Sequence, residues 1–134
     1  MVKQALAILV ILQGFLTSAP AVELAGRYGF IGEWDVSGSL TEQAMPQGRR
    51  ALSGRLSMKH TALCGPGESP EKSGDIAISL PRTSRRFTAR LDLDGSTCHF
   101  TGELSEEAIS FIKCSGQEAI PLRLWLKDSR VTAR

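Results

Sequence analysis

Between positions 32 and 127 apolar side chains return at every second residue, segment after segment, and this confines the chain to strands with one greasy and one polar face. In the first segment Trp34, Val36 and Leu40 share one face while Glu33, Asp35, Ser37 and Ser39 share the other. The second sets Leu52, Leu56, Met58, Ala62 and Cys64 against Arg55, Ser57, Lys59 and Thr61. Ile76, Ile78 and Leu80 mark a third strand, and Phe87, Ala89, Leu91 and Leu93 alternate with Arg86, Thr88, Arg90 and Asp92 in a fourth. Asp94-Gly95 predicts a tight hairpin, because glycine accepts the positive φ that such turns demand. Further strands are predicted over 97–104, 108–114 and 120–127, the last with Ile120, Leu122, Leu124 and Leu126 inward. Pro121 has no N–H for a ladder, so it belongs at a strand start or on an edge. Two longer loops are expected, over 41–50 and 65–73.

No segment in this range carries a helical period of useful length. An antiparallel meander of seven to eight strands that closes into a small barrel follows, with a β-sandwich as the alternative. Residues 1–21 read as a signal peptide that precedes it. Lys3 supplies the positive start, an apolar run over 5–16 is broken only by Gln13 and Gly14, and Ala19-Pro20-Ala21 offers the small-residue cleavage pattern. That run is shorter than the roughly twenty residues a spanning helix needs, so no integral membrane span is expected after cleavage. A lipid-modified start would need a cysteine just after the leader, and the first cysteine is Cys64. Residues 22–134 are then expected to form a single β-barrel domain in a periplasmic or secreted setting. The chain contains no asparagine and hence no N-glycosylation acceptor, which fits bacterial export.

The 16 Lys and Arg nearly balance the 14 Asp and Glu, giving no general reason for nucleic acid as a partner. Arginine is nevertheless concentrated, with Arg82, Arg85, Arg86 and Arg90 around one loop and strand and Arg49-Arg50 in another loop. Solvated loop and strand faces account for most such clusters, and a local anion patch is the sharper alternative.

Three cysteines in an exported chain of this size predict one disulfide and one leftover thiol. If 105–107 is a hairpin bend, Leu104 faces Ala108, and the same count sets Cys98 opposite Cys114, within disulfide reach. Cys64 is then a small core residue, or a thiol for another chain. That register also turns Phe100 toward Ile112 and sends Ile109 and Phe111 to the outer side with Thr101 and Glu103. Trp125 shares the polar side of its strand with Arg123 and Lys127. Large apolar groups facing outward cover an edge or meet a partner, so Ile109, Phe111 and Trp125 form a candidate partner surface.

Chemistry-bearing patterns are sparse. His60 and His99 make no metal-ligand spacing with the cysteines, no serine lies in a Gly-x-Ser-x-Gly setting, and no glycine-rich phosphate cradle opens a helix. Glu106-Glu107 and the Asp92 and Asp94 pair fall at hairpin tips, where carboxylates are solvated turn residues. No catalytic residue, metal or cofactor is expected. Aromatic residues make up 6% of the chain, too few for the two girdles of an outer-membrane barrel.

Gly32-Glu33-Trp34 at the start of the first strand, ahead of a meander with a late Arg123, resembles the opening of calycin-type barrels. That group includes lipocalins and small periplasmic inhibitors of metalloproteases. The resemblance implies a closed barrel in which Arg123 packs over Trp34.

Together these readings predict an exported, non-enzymatic binding protein for a small apolar molecule or a protein. The interior of such a barrel would offer Trp34, Leu56, Met58, Phe87, Leu91 and Phe100 as a ligand lining. The alternative is a protease inhibitor or assembly subunit that works through Ile109, Phe111 and Trp125.

Overall fold

A computed structural model describes residue 14 and residues 21–61 and 70–127. The predicted leader apart from Gly14 and Ala21 lies outside the described residues, as do Ala62, Cys64 and most of the 65–73 loop. Eight antiparallel strands follow one another around a closed barrel: β1 (Ala21–Tyr28), β2 (Trp34–Met45), β3 (Arg49–His60), β4 (Glu71–Pro81), β5 (Arg86–Leu93), β6 (Ser96–Glu103), β7 (Ser110–Cys114) and β8 (Ile120–Lys127). β8 returns to pair with β1, from Glu23 opposite Lys127 to Tyr28 opposite Leu122, so the sheet has no free outer strand. The sandwich alternative is thereby replaced by a barrel.

Two differences from the sequence reading lengthen the walls. β1 was not among the predicted strands, because Gly26 interrupts its inward series of Val22, Leu24 and Tyr28. The segment 41–50 is not a loop: β2 runs on to Met45, a single 3-10 turn covers Pro46–Gly48, and β3 starts at Arg49. Thr41, Glu42 and Gln43 follow one another there ahead of exposed Ala44 and Met45, so the apolar signal fades while the ladder continues to Met45 opposite Arg49. β4 likewise begins at Glu71, ahead of the predicted Ile76.

The inward positions of all eight strands meet in one core. Leu24, Val36, Leu40, Leu52, Leu56, Met58, Ile76, Ile78, Leu80, Phe87, Leu91 and Phe100 are buried in it, together with Leu122 and Leu124. Phe87 and Phe100 meet edge to face with centroids 5.7 Å apart, a favoured arrangement of ring quadrupoles. Eight strands enclose a space that such side chains fill. Curvature comes from glycine: a methyl on Gly38 would sit 2.8 Å from the carbonyl oxygen of Arg55, and one on Gly54 2.6 Å from that of Ser39. Only glycine lets β2 and β3 approach this closely.

The wall is uneven. The β2–β3 ladder runs from Trp34 opposite His60 to Met45 opposite Arg49, whereas β6 and β7 pair only at Cys98 with Cys114 and His99 with Lys113. In that short seam the predicted disulfide is present, Cys98 to Cys114, with Cα atoms 4.4 Å apart. The predicted Leu104 to Ala108 pair is absent. Leu104 instead crosses to form a bridge with Leu124 of β8, and Ser105 N–H donates to the Leu124 carbonyl at 2.8 Å. β7 is too short to accompany the second half of β8, and Leu104 occupies the place it leaves. Asp94 and Gly95 both take positive φ, 49° and 77°, in the tight turn expected between β5 and β6. Pro121 is the second residue of β8, near a strand start as its missing N–H requires.

Candidate functional site

All six residues predicted to line an interior site do share the inward face. Leu56, Met58, Phe87, Leu91 and Phe100 are each buried in the core cluster, and Trp34 is half-buried at its rim. Trp34 stands at one mouth of the barrel, opposite His60 of β3, whose ring meets it edge-on at 4.9 Å. Lys72 places its ammonium 5.0 Å from the Trp34 ring centroid, so a cation does cover the indole, and it comes from β4. Arg123, matched to that role by the calycin resemblance, is exposed on the outer wall, with Nη2 beside Gly32. Half-buried Tyr28 belongs to the same mouth. Its burial, and secondarily the charge of Glu33, raise its hydroxyl pKa above the ordinary tyrosine value.

The opposite mouth carries charge. Glu42 and Arg50 both occupy inward positions and form an ion pair across β2 and β3. Arg82 N–H donates to the Gly48 carbonyl at 2.9 Å, which ties the turn after β4 to the turn that precedes Arg49 and Arg50 at this end. Two shallow grooves indent the outer wall. One, of about 360 Å³, is bordered by Ser37, Ser39, Arg55, Ser57 and Ser73, and the other, of about 320 Å³, by Ser53, Asp75, Arg90 and Asp92. Of the six predicted lining residues, only Leu56 borders either groove. Among the described residues no group of three or more His, Cys, Asp or Glu could hold a metal ion.

Among the described residues four of the five exposed large apolar side chains gather on one side; the fifth, Met45, stands alone at the β2–β3 turn. Ile109 and Phe111 are each 60% exposed. Phe111 pairs with Pro121, and the Pro121 carbonyl accepts the N–H of Gly29 at 3.0 Å. Next in the chain come Phe30 and Ile31, 68% and 86% exposed, so the apolar face continues from β7 across β8 to the β1–β2 turn. Sequence reading missed these two, since they lie before the first predicted strand. The signal was there in Gly29-Phe30-Ile31-Gly32, a pair of large apolar residues held between two glycines.

That turn is built rather than slack. Gly29 and Gly32 adopt φ of 113° and 66°, which a side chain would resist, and Gly32 N–H donates to the Gly29 carbonyl at 3.2 Å. The Glu33 carboxylate accepts the N–H of Ile31 at 3.2 Å, and the Glu33 carbonyl accepts Thr61 N–H at 2.8 Å. Trp125 differs from the other predicted surface residues. It is half-buried, across from Ala25, and Ala25 is only 6% exposed although it lies on the outer face. The indole is the cross-strand neighbour large enough to shield it. Comparison with known proteins finds no matching family model, no matching curated protein and no matching solved structure.

Proposed function

We propose that this chain is an exported binding protein that engages its partner through the outer face of β7 and β8 and the adjoining β1–β2 turn, rather than by holding a ligand inside the barrel. One contrast carries the reading. The inward side chains are packed against one another, while Phe30, Ile31, Ile109 and Phe111 remain uncovered along one side. Exposed apolar groups clustered on a preorganised surface are the usual mark of a contact site, because their burial on binding releases water without a large ordering cost. The Cys98–Cys114 disulfide supports the exported setting, since such bonds persist in oxidising compartments. Catalysis is the weaker reading. His60, the one histidine near a mouth, packs against Trp34; Glu106, Glu107 and Asp94 lie in turns and connections, and Asp92 at the end of β5 is held by Arg90 and Thr97 on the outer wall.

Photo-crosslinking in the exporting cell tests this. A benzoylphenylalanine at position 111 is expected to yield discrete adducts, and the same probe at Thr88, on the outer face of β5, to yield none. Equal labelling from both positions would contradict the proposal.

A further inference from the structure

The outer face of β7 and β8 combines apolar and basic groups with no acid. In chain order it presents Phe111 and Lys113 on β7, then Pro121, Arg123, Trp125 and Lys127 on β8, and neither strand contains Asp or Glu. The four ion pairs found among the described residues all lie elsewhere: Arg27 with Asp35, Arg50 with Glu42, Arg55 with Asp75, and Arg90 with Asp92. Among the described residues Lys113 and Arg123 have no carboxylate in salt-bridge range, a state they share with outward Lys59 and Arg86, but only they stand beside the exposed apolar groups. Lys127 faces Glu23 across the β8–β1 ladder, and Glu103, Glu106, Glu107 and Glu118 lie on β6 or in the flanking connections, which leaves Lys113 and Arg123 as the cations of this face. Beside these cations stands the convex Phe30–Ile31 turn, pinned to Pro121 and to Thr61.

We propose that this face docks on an anionic lipid surface, with Phe30 and Ile31 entering the headgroup region and Lys113 and Arg123 meeting lipid phosphates. This rests on the outer-face reading above and names its partner. Apolar tips that insert, with basic groups beside them at phosphate depth, are what interfacial binding requires. Single-stranded nucleic acid would use the same charge, but it needs a groove with ring faces open for stacking. Here the uncovered groups are two isoleucines and two phenylalanines on an outer wall, and Pro121 and Trp125 are half-buried.

Co-sedimentation with vesicles of phosphatidylcholine, with and without phosphatidylglycerol, tests the proposal, with a single-stranded oligonucleotide as competitor. The wild-type protein is expected to bind the anionic vesicles more tightly and to lose binding as salt is added. Because each basic group near such a surface contributes about 1 kcal/mol, K113Q/R123Q is expected to lower the partition coefficient about 30-fold. F30S/I31S should weaken binding to both vesicle types, and R55Q/R90Q, which removes the same charge from the far wall, should leave it unchanged. Near-UV circular dichroism checks that each variant is folded. No binding to anionic vesicles, indifference to either of the first two variants, an equal loss in R55Q/R90Q, or displacement by the oligonucleotide would each overturn the lipid assignment. A protein adduct from position 111 alongside absent vesicle binding would keep the outer-face reading and transfer its partner to a protein.

Discussion

Tyr28 shows how a residue at the mouth reports on the closure around it. It is the only tyrosine in the chain, half-buried where β1 meets Leu122 of β8, with Glu33 nearby. Burial disfavours the phenolate first and the Glu33 charge disfavours it further, so the folded hydroxyl titrates above the unfolded one. Between the two values the unfolded chain has lost its proton while the native chain keeps it. The stability Tyr28 supplies is thus complete below the ordinary tyrosine value, about 10, and is lost as pH rises through the higher folded value. An absorbance titration of phenolate should place the native midpoint above that of the urea-unfolded chain, and E33Q should bring it part of the way back. A native midpoint equal to the unfolded one would show that this mouth is open to water. Individual residues were unequally legible in sequence. Cys98 and Cys114 could be paired because a strand count reaches both, whereas Lys72 over Trp34 joins β4 to β2 with the whole of β3 between them, and no local period announces that contact.

At the level of elements, alternation located every strand whose polar face is charged and whose inward face is large. It failed where glycine or small polar residues stand in the series, at β1 and in the second half of β2, since a ladder of backbone hydrogen bonds persists there without an apolar stripe. It also mistook the closure near Leu104, because the shortness of β7 is a property of the closed ring and of no single hairpin. The seam of β6 and β7 has only two ladder pairs, and the disulfide lies within it. Cys98 is fully buried and Cys114 nearly so, which marks the bond as structural. C98S/C114S is expected to lose about 3 kcal/mol in urea unfolding, the magnitude of closing a loop of this size. Hydrogen exchange in that variant should show β7 amides losing protection before those of β2 and β3. Unchanged stability, or even protection across all strands, would mean that the seam does not depend on the bond.

On the scale of the molecule, closing the sheet gives the chain two kinds of surface. The interior is occupied by Leu, Ile, Val, Met and Phe side chains, with half-buried Trp34, His60 and Lys72 at one mouth and Glu42 with Arg50 at the other. The outer wall carries three ion pairs over β1–β5 and is apolar and basic over β7 and β8. The barrel class was readable from periodicity. Which side of it stayed uncovered was not, because Phe30 and Phe111 come from opposite ends of the chain and become neighbours only when β8 pairs with β1. Native mass spectrometry of the protein taken directly from the exporting cell separates the two surfaces most directly. If the outer face is the working one, the barrel carries no small molecule, and its mass is that of the polypeptide with one disulfide. A stoichiometric apolar ligand that survives desolvation and is lost on unfolding would contradict this, and would return the function to the inside of the barrel.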